Sequence, residues 1–231
     1  MNDWLYIDCP CTSFPRSFAR DYKETYCYPP PSTLYGFLLS LVGESDLRSH
    51  LGVKLAIGVV GEDSPISRVL RKNRSHKFGK KHLGTYPAAQ FSKPNFQEVL
   101  TDLRVVLRLN SSSETGAKSG AVTLADRVAI ALTSPGQISR FGGLSLGESW
   151  AMVNGVRRYR DDDGAVRWLC RDDRGLIALP VWIDREQTTR GTFRRFSLGD
   201  FTLESDERAW VKIVAPIETK PKKARKSKRR S

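Results

Sequence analysis

Residues Thr25–Glu44 read TYCYPPPSTLYGFLLSLVGE. Three successive prolines, Pro29, Pro30 and Pro31, fix φ near −65° and favour polyproline II, so the chain enters this stretch as a stiff elbow. Ser32 is placed to cap a helix. Leu34, Phe37, Leu38 and Leu41 then recur at helical spacing, and Gly43 is a fitting stop. The stretch predicts one short helix with an apolar face, launched at a set angle. Tyr26 and Tyr28 stand just upstream. A helix start can also present free amides and a positive dipole end to a phosphate. The plain alternative is a corner that positions a core helix.

The flanking segments are strand-like. Asp3–Cys9 is aromatic and β-branched, and Val53–Val60 alternates Val53, Leu55, Ile57 and Val59. Between the first strand and the elbow lies a polar, basic loop with Arg16, Arg20 and Lys23. Leu103–Leu109 reads as another strand. Thr123–Leu132 reads as a second helix, with Thr123 and Asp126 at capping-box spacing. A glycine run, FGGLSLGES, follows Ser139 and Arg140. The C-terminal third alternates short strands with turns, and Asp161–Asp163 before Gly164 reads as a hairpin turn. The order is β-α-β, insertion, β-α, glycine loop, β, the split βαβ order of α+β, ferredoxin-like (RRM-like) domains. The expected organisation is a ferredoxin-like domain over 1–160 with an insertion at 68–97, an antiparallel β extension over 161–215, and a disordered basic tail over 216–231.

The 231-residue chain is 39% hydrophobic and 27% charged, a balance that fits a globular protein and excludes a disordered one. Its apolar runs fall short of the ~20 residues of a membrane span. MNDWLYIDCP has neither a basic n-region nor an apolar h-region, so no signal peptide is expected and a cytoplasmic, membrane-free protein is. Cys9, Cys11, Cys27 and Cys170 lack zinc spacing and read as free buried thiols; no metal or cofactor is expected.

The net charge is +13. The last twelve residues, KPKKARKSKRRS, hold eight Lys/Arg and no acid, which leaves +5 for the body. From Arg68 to Lys93 the chain carries no acid at all. This stretch holds Arg71, Lys72, Arg74, Lys77, Lys80 and Lys81, with His76 and His82, and Phe78, Tyr86 and Phe91 interleaved. Cations neutralise phosphates and aromatics stack on unpaired bases, so the pattern points to RNA, with Arg16 and Arg20 of the first loop as further candidate contacts. Gly142, Gly143 and Gly147 permit close backbone approach to a phosphate or sugar, but match neither a Walker loop nor GxGxxG. No HExxH, HxH or GxSxG pattern is present.

Two motifs, YPPPSTLYGFLLSLVGE and RFGGLSLGES, together with the intervening FQEVLTDLRVVLRL, resemble the fifth family of CRISPR-associated (Cas) proteins, RAMP-superfamily subunits of type I Cascade complexes. The resemblance covers roughly residues 1–185. It implies a ferredoxin-like domain with a thumb-like insertion, here around Arg68–Lys93. It implies that the chain caps the CRISPR RNA and holds its 5′ handle. Its partners would be the large subunit and the backbone (Cas family seven) subunit, with target DNA touched only indirectly. The RNA contacts would include Tyr28–Ser32 of the elbow and Arg140, Gly142 and Gly143 of the glycine loop. In one subtype such subunits also cut the precursor RNA without metal, and His76, His82 and Tyr86 are the candidates for that chemistry. Binding without cleavage is the expectation, because both histidines lie in what reads as an exposed basic loop with no nearby acid to orient an imidazole. A generic RRM-type RNA-binding protein outside CRISPR is the third reading.

Overall fold

The computed structural model describes residues 4–16, 22–74, 92–115, 121–183, 191–199 and 207–216, with 72–74 and 92–93 by backbone alone. The strands are β1 (Leu5–Thr12), β2 (Tyr22–Lys23), β3 (Lys54–Val60), β4 (Ile66–Arg74), β5 (Ser92–Asn110), β6 (Gly155–Arg158), β7 (Val166–Arg171), β8 (Ile177–Ile183), β9 (Gly191–Gly199) and β10 (Trp210–Lys212). Among the described residues two α-helices interrupt them, α1 (Pro31–Leu41) and α2 (Leu124–Thr133). One sheet runs β6-β1-β5-β3-β7-β9-β8, with β10 added to β3 and β2 and β4 added to β5. Among the described residues every strand pairing is antiparallel except β2 with β5.

The 19-residue β5 organises this sheet. Its C-terminal half lies between β1 (Leu5 opposite Leu107) and β3 (Ile57 opposite Leu107). Its N-terminal half pairs with β4 from Ile66–Leu100 out to Arg74–Ser92. The basic insertion therefore leaves the sheet as a two-stranded arm, whose continuation at 75–91 lies outside the described residues. The break between halves falls at Asp102, the non-glycine with positive φ (54°) among the described residues. Its carboxylate accepts from Arg104 Nη2 at 2.8 Å, and the neighbouring Thr101 N–H donates to Pro65 O at 3.1 Å.

Helix α1 forms as its spacing dictates, burying Leu34, Phe37, Leu38 and Leu41 in the main core with Leu5, Ile7, Leu55, Leu103 and Leu107. The cap differs from expectation. Pro30 is the N-cap, and its carbonyl accepts from the N–H groups of Thr33 and Leu34, both at 3.0 Å. Ser32 sits inside the first turn, and its Oγ is buried without a hydrogen-bond partner. Pro31, already fixed in φ, starts the helix two residues earlier than a serine cap would. At the other end Gly43 takes φ 70°, and a Cβ there would lie 2.1 Å from Ser139 O, so only glycine allows the approach. The Thr123–Asp126 capping box of α2 is formed as expected.

Polar clamps join the helices. On α2, Arg127 donates to Val42 O (3.0 Å), Glu44 Oε2 (2.8 Å) and His50 Nε2 (2.9 Å). With Nε2 accepting, His50 presents Nδ1–H to Glu114, and both residues are buried. Glu114 also accepts the Leu124 N–H at 3.2 Å, placing a carboxylate at the start of α2 where the helix dipole favours it.

Two further readings are corrected. Asp161–Asp163 is a 3₁₀ turn in a crossing connection, because β6 pairs with β1 while β7 pairs with β3. Asp163 there accepts from Arg157 Nη1 at 2.7 Å and the Arg160 N–H at 2.7 Å, which holds the turn. The cysteines are free, but only Cys9 and Cys170 are buried; Cys27 is exposed. Burial pushes the Cys9 thiol up to about 11. A second, smaller core on the opposite sheet face gathers Tyr6, Ala56, Val106 and Trp168.

Leu38 is fully buried, so Leu38→Ala should cost about 2–5 kcal/mol in urea unfolding. A Cβ at Gly36 would meet nothing, so Gly36→Ala should instead gain up to about 1 kcal/mol from helix propensity; a loss would mean the open side of α1 is packed. Arg127 and nearby backbone N–H groups hold the Glu44 carboxyl down at about 2, against an ordinary value of 4.5. Its contribution is complete above the ordinary value and fades as pH falls toward the depressed one. The urea midpoint should therefore drop on acidification through that window, and Glu44→Gln should flatten the drop; an equal slope in both proteins would contradict the clamp.

Candidate nucleic-acid interface

The glycine run folds over the strand ends at the base of the arm. Gly147 has φ 91°, and a Cβ there would sit 2.3 Å from Ser13 O, so the loop lies directly on the backbone that follows β1. Thr12 Oγ1 donates to Leu146 O, and the Leu146 N–H donates to Ala151 O at 2.9 Å. Leu146 is fully buried and anchors the loop in the core. The preceding residues stand free of that anchor. Phe141 is fully exposed, and exposed Arg140 donates from Nη1 to Gly142 O at 3.0 Å. A Cβ at Gly142 would meet nothing, whereas one at Gly143 would meet Met152 Cε at 2.0 Å.

Arg140 and Phe141 wall a hollow of about 510 Å³ whose floor is the open side of α1 at Gly36, Ser40 and Gly43. A smaller hollow of about 210 Å³ continues along α1 to Ser32 and Thr33, sharing Gly36 and Leu47 and ending at Trp182. The elbow's serine and the glycine loop's arginine thus border consecutive hollows on one helix.

Arg71, on β4, reaches the other side of the same loop. Its Nη1 donates to Gln97 Oε1 at 2.6 Å and lies 3.5 Å from Glu148 Oε2, and its guanidinium sits 5.5 Å from the Trp150 ring centroid. Glu148 also accepts from Gln97 Nε2 and from Trp150 Nε1 (2.7 Å), and lies 3.6 Å from Lys23 Nζ. One carboxylate therefore ties together the glycine loop, the arm and β2. The adjacent Glu98 points the other way along the strand alternation, accepting from Tyr22 Oη (2.6 Å) and the Thr25 N–H (3.0 Å). On the Glu98 side, Leu70 and Phe96 are exposed.

The remaining expected contacts are scattered. Arg16 pairs with Glu24 at 3.3 Å and lies 5.5 Å from the Tyr26 ring centroid. Tyr28 donates to Asp63 Oδ1 at 2.9 Å, an oxygen it shares with Arg167 (2.7 Å). Burial, then Asp63, push the Tyr28 hydroxyl up to about 12. Pro29, Pro30 and Pro31 are buried, and two first-turn donors of α1 are spent on Pro30, which favours the corner role of the elbow over a phosphate cradle. Lys72 and Arg74 lie on β4 with only their backbones described. Arg20, His76, Lys77, Lys80, Lys81, His82 and Tyr86 lie outside the described residues. Among the described residues, no three His, Cys, Asp or Glu side chains gather where they could hold a metal, and no helix is long and apolar enough to cross a membrane. Sequence reading passed over Glu148, Gln97 and Trp150. The one available signal was the acid at the end of the glycine run in a basic protein.

No family model matches the chain. A curated relative, the CRISPR-associated protein Cas5 of Myxococcus xanthus strain DK1622, is 33% identical over 199 residues, covering 84% of this chain and 87% of its own. A solved chain from a CRISPR RNA-guided surveillance complex superposes with a TM-score of 0.55 at 15% identity, over 84% of this chain and 88% of that one, which is a likeness of fold. A crystal structure of a Cas protein covers 85% of this chain and 92% of its own with a TM-score of 0.45 at 14% identity. With a third of its residues shared over most of both chains, the protein belongs to the Cas5 family of CRISPR-associated proteins.

Proposed function

We propose that this chain is the subunit of a type I Cascade surveillance complex that holds the 5′ handle of the CRISPR RNA. The observation that carries the reading is the glycine loop, whose rim, Arg140–Gly143, is open to solvent and whose far end is fastened through Glu148 to the base of a basic two-stranded arm. Exposed backbone beside arginine can follow a phosphate–sugar chain closely, while the arm supplies charge over a longer reach. Membership of the Cas5 family supports the CRISPR assignment. The order β1-α1-β3-β5-α2-β6, with β6-β1-β5-β3 side by side, supports a ferredoxin-like (RRM-like) RAMP domain carrying the arm as its thumb, and β7–β9 as the antiparallel extension. The large subunit and the first backbone subunit are its proposed neighbours, with target DNA met only through them.

Expression of a Cascade operon with and without this chain tests the reading. The complex should require it, and its absence should leave the 5′ end of the guide open to exonuclease. A complex that forms normally, with the RNA end equally protected, would sink the proposal. Repeat RNA incubated with the purified chain in chelator should remain intact. Cleavage at one fixed position, abolished by His76→Ala or His82→Ala, would instead make it the processing nuclease.

Truncation after Glu218 removes eight positive charges. RNA affinity should weaken, and its salt slope should become shallower by up to about 0.7 for each lost phosphate contact. Preference for the handle sequence should survive. An unchanged slope would show that the tail never meets the RNA.

A further inference from the structure

We propose that Glu148 is a selectivity residue for the RNA site: it fixes the arm's cations in one arrangement and withholds one unit of positive charge from RNA that does not fit. The inference rests on the RNA-binding reading above. Lys23 and Arg71 come from different strands, β2 and β4, and converge on the same carboxylate at 3.6 and 3.5 Å. Without it the pair would carry +2 at the arm's base; with it the local charge is +1. Glu148 is itself held by Gln97, fully buried in β5, and by Trp150 Nε1 at 2.7 Å, so it cannot swing aside freely. Arg71 is constrained by Gln97 Oε1 at 2.6 Å, by Glu148 and by the Trp150 ring 5.5 Å away. A guanidinium held on three sides presents its remaining donors in one direction.

Fixed and mobile cations reward different ligands. A fixed arginine strengthens binding only for an RNA whose phosphate falls at that place, whereas a mobile cation strengthens binding in every register. Arg71 and Lys23 are each more than a third exposed, so both remain within reach of an RNA on the arm. The carboxylate thereby converts part of the arm's charge from general attraction into a positional requirement.

The test compares the full chain and its Glu148→Gln variant, binding handle-bearing RNA and a scrambled RNA of equal length across a salt series. Glutamine keeps one acceptor oxygen for Trp150 and Gln97, removes the charge, and replaces the oxygen facing Lys23 with a neutral amide NH2. The variant's salt slope should steepen by about 0.7, one phosphate's worth, and scrambled RNA should bind roughly fivefold tighter near 0.1 M salt. Handle RNA should gain less, so the handle-to-scrambled ratio should fall. Adding Arg71→Gln should return the slope toward the original. An unchanged slope and ratio, or equal tightening of both RNAs, would overturn the inference while leaving the binding role intact. A wild-type chain that does not prefer the handle RNA would overturn the binding role, and this inference with it. If thermal melting shows that Glu148→Gln unfolds, Glu148→Asp decides: it keeps the charge but shortens the reach, so the ratio should fall with the slope near wild type, and an unchanged ratio would overturn the proposal.

Discussion

Strand β5 carries two structures at once. Its inner half lies between β1 and β3 in the core, and its outer half forms one side of the arm, with β4 and β2 on its two edges. The two halves meet at Asp102, whose positive φ is a strained choice for a residue with a side chain. The bidentate hold of Arg104 on Asp102 and the Thr101–Pro65 hydrogen bond stabilise that turn locally. Because the strand is continuous in sequence, the arm's base inherits the position of the core. This gives a basic, otherwise two-stranded element a fixed root, which an isolated hairpin would lack.

The glycine loop depends on the same strand. Gln97 and Val99 are buried on one side of β5's outer half, and Gln97 reaches Glu148 from there. Leu146 enters the core four residues after Gly142, while Arg140 and Phe141 stay outside it. The loop is therefore pinned at its C-terminal end, with Arg140 and Phe141 open to solvent. α1 completes the arrangement, because Gly43 admits Ser139 against its backbone and Gly36 leaves an open floor beneath Arg140 and Phe141. Elbow, helix, loop and arm act as supports for one rim.

Much of this was legible in the sequence. Spacing identified α1 and its glycine stop, and the capping-box pair identified α2, because local chemistry decides these features. The resemblance carried by YPPPSTLYGFLLSLVGE and RFGGLSLGES led to the family. The errors share a cause. Ser32 was read as a cap from composition, but with Pro30 and Pro31 the backbone itself starts the helix and Pro30 O serves as acceptor. Asp161–Asp163 was read as a hairpin from its glycine and charges, but the strands on either side find partners elsewhere in the sheet. The contacts of Glu148 with Gln97 and the His50–Glu114–Arg127 clamp went unread because each joins residues tens of positions apart. Apart from Glu148's place at the end of the glycine run, nothing in the sequence marks which of its 25 Asp and Glu residues will become a junction.

Ultraviolet cross-linking of the assembled complex, with cross-linked peptides located by mass spectrometry, bears most directly on the central claim that the loop rim and the arm's base hold the RNA. The account predicts RNA adducts on the peptide spanning Ser139–Trp150 and on the two strands of the arm, centred on the handle nucleotides. Adducts confined to the basic residues after Glu218, with the loop and arm unmodified, would contradict it.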